Sequence, residues 1–480
     1  MKNKFYIFIL AVFEIMNSEP SSFTFSGYSN FSYISRISDK SLINVPYRMG
    51  SIVFVKQYED ISLIGEFALE YHVRDDFHFI ETSNPQDFTL DMREFYITYN
   101  KKNYELKVGK QIHSWGNVDE NSPLDNGSAL DYYYMFFGGT ERKLATLSLG
   151  VDFYYKNLKI NGVFSPLHST NRLPLGDDDF PVELPIYPDP YEIIPVSSIP
   201  YEGGLFINYS TKFGEVSFSS FSGNDRIFNF SGVNEYYSTQ FNNFKSSPDL
   251  VFGYRRTTLI GFGATILNKF FTTRFDYAYF NTKDQNKTID RPYPNPLQSS
   301  LYDSVAFSFP LQENVKYEQY TIQIDTELPF DIDFSIQLFN HNINQYNSVD
   351  TLPDVEVDIP GFEYDPNTMQ PRDLFIPGMG VPVAILTNKA LFLFLKKNFL
   401  NEDLTFSFTS LMDIENYDKD KRITGALNEI KAEYSITQDL TLLLGITKIN
   451  GSNEHSDGEK YQFYKMKDFS HSRFELKYYF

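Results

Sequence analysis

Residues 88–125 read FTLDMREFYITYNKKNYELKVGKQIHSWGNVDENSPLD. In the first arm Phe95, Ile97 and Tyr99 fall on one side of an extended chain, with Glu94, Tyr96 and Thr98 on the other. Lys101, Lys102 and Asn103 form a polar turn, and the second arm repeats the pattern. There Tyr104, Leu106, Val108 and Ile112 oppose Glu105, Lys107, Gly109, Gln111 and His113, with Lys110 the exception on the apolar side. A period of two through both arms, joined by a short turn, predicts a β-hairpin. Beyond Trp115-Gly116 the alternation stops and a long polar stretch begins.

The same unit recurs along the 480 residues. Alternating segments run from 22–34 to 470–480 and come to eighteen, with sixteen also compatible. The connections alternate too. Short ones fall near Tyr58-Glu59, Lys101–Asn103, Lys156-Asn157, Lys212-Phe213, Asn268-Lys269, Pro329-Phe330, Leu400–Glu402 and Gln438. Long polar ones span 35–46, 73–87, 114–142, 165–202, 223–255, 283–314, 345–387, 415–424 and 451–469. A soluble sandwich has no reason to gather its long loops at one end. A transmembrane antiparallel up-and-down β-barrel does, with short periplasmic turns and long outer loops. The expected fold is therefore all-β, one barrel over 22–480.

Composition agrees. There are 47 Phe and 35 Tyr but a mean hydropathy of only −0.34, so the apolar residues are spaced singly. Alternate residues then answer to different solvents, lipid outside and water inside. In 270–280, Phe271, Phe275, Tyr277 and Tyr279 oppose Thr272, Arg274, Asp276 and Ala278, which places Arg274 and Asp276 on the lumen wall. Such polar faces recur around the whole set, and the reading is of a water-filled lumen. The net charge of −20 leaves no basic stripe for nucleic acid. With no cysteine, disulfides, thiolate metal sites and thiol nucleophiles are excluded. The seven histidines form no metal-ligand pair, and no HExxH or GxSxG is present, so no enzyme, metal or cofactor is expected. The acidic loops, with Asp177-Asp178-Asp179 in one and Asp350, Asp354, Glu356, Asp358, Glu363 and Asp365 in another, read as solvated charge rather than Ca²⁺ sites. Asp418–Arg422 lacks the Gly and Glu of a calcium loop.

Met1–Lys4 precedes an apolar run from Phe5 to Phe13, too short to span a bilayer. Residues 1–21 read as a secretory signal peptide, which implies export. At the other end Phe474, Leu476, Tyr478 and Phe480 alternate onto the lipid face. This tail resembles the recognition signal that outer-membrane barrels present to the barrel assembly machinery.

The opening hairpin carries a further resemblance. Arg93, Glu94, Tyr96, Gly109, Lys110, Gln111, Trp115, Gly116, Asp119 and Asp125 are similar to a signature of porin-like outer-membrane proteins of Gram-negative bacteria. In that family an Arg-Glu-aromatic strand precedes Gly-Arg/Lys-Gln, Trp-Gly and an Asp-containing loop. Here Ser122-Pro123-Leu124-Asp125 stands where the family has Asn-Pro-x-Asp. The resemblance covers this hairpin and the start of its loop. It implies a passive channel for small hydrophilic solutes in the outer membrane of a Gram-negative bacterium.

On this reading Glu94, Tyr96, Glu105, Lys107, Gln111, His113, Trp115, Asp119, Asp125, Arg274 and Asp276 line the pore or its constriction, and the loop 114–142 folds inward to set selectivity. Trp115 has a second reading, an aromatic girdle residue at the membrane interface. The expected partners are outer-membrane lipid and lipopolysaccharide, the assembly machinery and the solutes. Porins often trimerise, and nothing in the sequence marks an interface. Two rival functions stay open: a structural or adhesive barrel with a blocked pore, and a secreted soluble β-rich binding protein.

Overall fold

In the computed structural model of the chain the described residues are 22–43, 46–71, 88–135, 142–174, 193–196, 199–237, 247–285, 288–293, 304–354, 367, 369–417, 423–452 and 462–480. The signal-peptide reading, Asp177–Asp179, Glu356–Asp365 and Asp418–Arg422 lie outside them.

The first nine strands are β1 (Ser22–Arg36), β2 (Tyr47–Tyr58), β3 (Ile61–Tyr71), β4 (Phe88–Lys101), β5 (Tyr104–Gln111), β6 (Thr146–Tyr155), β7 (Leu158–Ser165), β8 (Glu202–Thr211) and β9 (Gly214–Asn224). The second nine are β10 (Arg256–Leu267), β11 (Phe271–Lys283), β12 (Asn314–Leu328), β13 (Ile332–Asn347), β14 (Lys389–Phe399), β15 (Leu404–Asp413), β16 (Gly425–Ser435), β17 (Leu440–Gly451) and β18 (His471–Tyr479). Each pairs antiparallel with the next, and β18 pairs with β1, so one 18-stranded sheet closes on itself. Closure leaves no sheet edge, which a barrel in lipid requires. At the seam Gly27 and Phe480 exchange backbone hydrogen bonds of 2.9 and 3.0 Å. A Cβ on Gly27 would stand 2.3 Å from the Ser51 carbonyl and 2.9 Å from the Phe480 ring, so only glycine fits there.

The wall follows the period of two. Along β10, Thr257, Leu259, Gly261 and Gly263 point inward and are buried, while Thr258, Ile260 and Phe262 are exposed outward. Outward residues across the barrel include Phe23, Phe25, Phe218, Ile430, Leu444, Phe474 and Tyr478. Moving each such side chain from water into lipid is worth about 1.5–3 kcal/mol, so the outer wall is made for a bilayer. No helix among the described residues is long and apolar enough to cross a membrane; the strands do so. Lys110 also points outward, and its ammonium reaches the Met92 carbonyl and Asp91, 3.7 Å away, satisfying the charge at the strand's loop end.

Two expectations change. The connections 223–255 and 283–314, read as plain loops, contribute a three-stranded sheet outside the barrel: Asn229–Tyr237 lies between Ser247–Gly253 and Ser304–Pro310. The second change concerns the lumen, which is not open water along its length. On β11 the inward residues run Arg274, Asp276, Ala278, Phe280 and Thr282 from the turn end towards the loops, so apolar side chains enter the loop half of this wall. In that half Val163, Phe206, Phe221, Leu259, Phe280, Val315 and Tyr317 pack on Trp115, Leu124 and Met379. Around the other side Ile34, Phe339, Ala390, Leu411, Leu427 and Ile449 pack on Val381, Val383, Leu386, Phe463 and Met466. These wall positions are apolar because their neighbours are infolded loops, not solvent.

Candidate functional site

The lumen segment grows out of β5. Its entry is fixed by β4, where the pairing with β3 slips between Glu66 and Phe67. The bulge turns both Arg93 and Glu94 inward, as bulges do when they re-aim a side chain. The Glu94 carboxylate accepts from Ile112 N–H at 2.7 Å, and Arg93 Nη1 donates to the Lys143 carbonyl at 2.9 Å. His113 N–H donates to Ser128 Oγ at 2.8 Å, which closes residues 113–128 into an excursion that leaves and returns at one place. Lys143 clamps the base, bonded to the Asp125 carboxylate and, at 2.7 Å, to Ser114 Oγ.

From that base the segment crosses the lumen against successive strands. Trp115 is buried: its indole N–H donates to Asn161 Oδ1 on β7 at 2.6 Å, and its ring stacks on Phe206 of β8 at 5.9 Å. This is a lumen position, so the girdle reading is set aside. Gly116, at φ +112°, makes the sharp bend that follows, where a Cβ would lie 2.0 Å from Ser122 Oγ. Asp276 of β11 then takes four hydrogen bonds. Asn117 N–H (2.7 Å), Val118 N–H (3.0 Å), Asn117 Nδ2 (2.7 Å) and Ser122 Oγ (2.7 Å) all donate to its carboxylate. Farther on, Asp119 N–H donates to Gln323 Oε1 at 2.9 Å, Arg274 Nη1 donates to Asp119 Oδ2 at 2.7 Å, and Asn121 Nδ2 donates to Gln337 Oε1 at 3.0 Å.

The placement of the predicted residues follows. Tyr96, Lys107, Gln111, His113 and Trp115 gather around one cavity of about 180 Å³ against β4–β8. Glu105 lies beside it, 3.4 Å from Lys107. Asp119 and Arg274 form a partly exposed ion pair across the segment, and Asp125 sits at the clamped base. Asp276 is a correction. It is fully buried beneath the segment and lines no pore; its carboxylate is occupied by the chain it holds. Phe474, Leu476 and Tyr478 face outward, and Phe480 packs 5.7 Å from Phe25 at the seam.

Asp152, Lys159 and Asn161, which carry the cavity's remaining charge and polarity on β6 and β7, were not singled out from sequence. Asp152 lies 3.5 Å from Lys107 and 3.4 Å from Lys159 while accepting from Asn161 Nδ2 at 2.9 Å. One buried carboxylate thus steadies two lysines that reach towards the lumen. The alternation of 146–155 marks Asp152 as inward, but no sequence signal says that β5 and β7 place lysines on either side of it. The second infolded segment, 376–386, was also missed. Gly380 N–H donates to Asn126 Oδ1 at 2.9 Å, Val381 N–H donates to Gln319 Oε1 at 2.8 Å, and Arg226 N–H donates to the Gly378 carbonyl at 2.8 Å. The two segments therefore meet in the lumen.

At the side near β2 and β3 the loop groups are ionic. Asp131 lies between Arg172 (3.2 Å) and Arg48 (3.6 Å), and Arg172 also donates to Glu70 at 2.6 Å. Burial pushes the Asp131 carboxyl up to about 6 despite these cations. No group of three or more metal-ligating side chains occurs among the described residues.

No family model matches the chain, and no curated protein matches it. Solved structures of similar shape include OccAB3 of Acinetobacter baumannii, with a TM-score of 0.48 and 10% identity over 96% of this chain and 99% of that one. OccK1 (OpdK) of Pseudomonas aeruginosa has a TM-score of 0.47 and 8% identity over 96% of this chain and 100% of that one. OmpT of Vibrio cholerae is farther off, with a TM-score of 0.38 and 8% identity. Likeness of this degree says nothing about what this chain carries, and its reading rests on its own geometry.

Proposed function

We propose that this chain is an outer-membrane channel of a Gram-negative bacterium, not an enzyme, passing small hydrophilic solutes by diffusion. The observation that carries this is the combination of a closed barrel, apolar outside, with a segment held across its lumen beside a polar cavity. A structural barrel gains nothing from threading the sixteen residues 113–128 through its interior, at roughly 1–2 kcal/mol of backbone entropy each. A channel gains a fixed narrow point. Lys107, Lys159, Asp152 and Glu105 supply alternating charge where the solute would pass, and Arg274 with Asp119 adds a further pair at β11. The partners of this reading are lipid and lipopolysaccharide on the wall and loops, the assembly machinery at Phe474–Phe480, and the solutes.

The test is conductance of the refolded full chain in planar bilayers, with reversal potentials under a salt gradient. Discrete conducting steps support the proposal. A second reading, a structural or adhesive barrel with a blocked pore, is favoured by one observation: the apolar packing that fills the loop half of the lumen. A membrane-inserted barrel silent under all conditions would select it.

A further inference from the structure

Arg255, between the outer sheet and β10, has a side chain with no solvent exposure. Its Nε donates to Asp225 Oδ2 at 2.8 Å, its Nη1 to Glu313 Oε2 at 2.9 Å and its Nη2 to the Ile376 carbonyl at 2.5 Å. Its guanidinium also lies 4.5 Å over the Phe375 ring. A third carboxylate, Asp284, accepts from Glu313 N–H at 2.8 Å and from Asn229 Nδ2 at 3.0 Å. Thr257 of β10 and Thr282 of β11 face Asp225, Tyr346 of β13 donates to Glu313 Oε1 at 2.7 Å, and Tyr317 of β12 lies under the group. Among the described residues Arg255 is the one cation paired with these acids.

We infer that this cluster is an acid-locked clasp: it holds the infolded segment 375–386 across the lumen and lets it go as the pH rises towards neutral. Two carboxylates, Asp225 and Glu313, share one guanidinium where water is excluded, and a third, Asp284, lies against Glu313 with no cation of its own among the described residues. Uncompensated charges are strongly disfavoured in such a place, so the closed arrangement needs a proton among them. Removing it leaves a charge that only water can satisfy, and water enters by parting the cluster. The part that moves first is Phe375-Ile376, held by one guanidinium bond and by ring contacts with Arg255, Tyr317 and Tyr346; the bonds of Gly378, Gly380 and Val381 to Arg226, Asn126 and Gln319 then part in turn. Behind it come Met379, Val381 and Val383, which fill the lumen. Asp284 is the group placed to lose the proton, since burial, and Glu313 beside it, raise its carboxyl to about 7.

The clasp rests on the channel reading only for its consequence, so the test has two readouts. The chain has no cysteine, and Val383 is buried at 2% exposure, so Val383→Cys reports release through labelling by a membrane-impermeant maleimide. Proteoliposomes of V383C and V383C/D284N are labelled at each pH from 5 to 8, and the ratio of their rates cancels the reagent's own pH dependence. The ratio is expected to rise by up to about tenfold per pH unit from pH 5 to about 7, the limit for one proton, and to level off above it. V383C/R255K, which loses the forked contact, is expected to label faster than V383C already at pH 5. A ratio flat across the range, or unchanged labelling in V383C/R255K, overturns the clasp. Conductance is recorded on the same variants. Silence of all of them takes down the channel reading while the labelling still decides the clasp; pH-independent conductance with a flat ratio takes down the clasp alone.

Discussion

Asp276→Ala removes the acceptor on which the lumen segment hangs. Four donors, two backbone amides, an amide side chain and a hydroxyl, lose their partner together in a buried place. A hydrogen bond to a charged group contributes about 1.5–3 kcal/mol, and the four share one carboxylate, so their losses do not add. About 4 kcal/mol for the whole set is a reasonable sum, which raises the detached population of residues 113–122 about a thousandfold. Asp276→Asn keeps a carbonyl towards three of the donors, while Asn117 can turn its own amide to suit the fourth; the expected loss is about 1–2 kcal/mol. Hydrogen exchange read by mass spectrometry on the peptide covering 112–128 measures this directly. Exchange should accelerate strongly in Asp276→Ala and modestly in Asp276→Asn, with strand peptides unchanged, and single-channel conductance should become larger and noisier in the same order. Wild-type exchange in Asp276→Ala would refute the anchoring argument.

Other perturbations follow the same geometry. Lys107→Glu places a third carboxylate beside Glu105 and Asp152 and should move the reversal potential towards cation selectivity; an unshifted potential counts against Lys107 facing the pore. Trp115→Ala empties the contact with Phe206 and Phe221, a change that costs about 3–5 kcal/mol in a packed interior, and should widen the conducting state without lowering barrel yield. Gly27→Val should reduce the heat-modifiable folded fraction, because its side chain would meet Ser51 O and the Phe480 ring at the closing seam. Because burial raises the Asp131 carboxyl to about 6, its protonated form favours the packed loop: that contribution is complete below about 4 and lost as pH rises through 6. Thermal unfolding of Asp131→Asn should lose this component of the pH profile.

Much of the barrel was legible because strand alternation is a local signal. Each inward Thr or Asp and each outward Phe declares its side within a few residues, and the lengths of the connections declare the two ends. The bulge at Arg93-Glu94 was not, since an extra residue there leaves the pattern from Phe95 onward intact. The inward face from Glu94 to Trp115 was readable for the same local reason, and five of its members do meet at one cavity. Asp276 was assigned to the right face with the wrong neighbour. Alternation tells which side a carboxylate takes, whereas Asn117 and Ser122 reach it from some 155 residues away. The same limit hid Asp152 between two lysines and kept 376–386 in the class of outer loops. A segment with Pro377, Gly378 and Gly380 looks like surface chain until Gln319 and Asn126 are found to satisfy its amides.

Ion conduction by the refolded, membrane-inserted full chain, recorded in planar bilayers at several pH values between 5 and 8, tests the central claim most directly. The account predicts discrete steps whose ion selectivity shifts with charge at Lys107 and whose open time lengthens as the pH rises. A correctly folded barrel that carries no current at any of these pH values would contradict it.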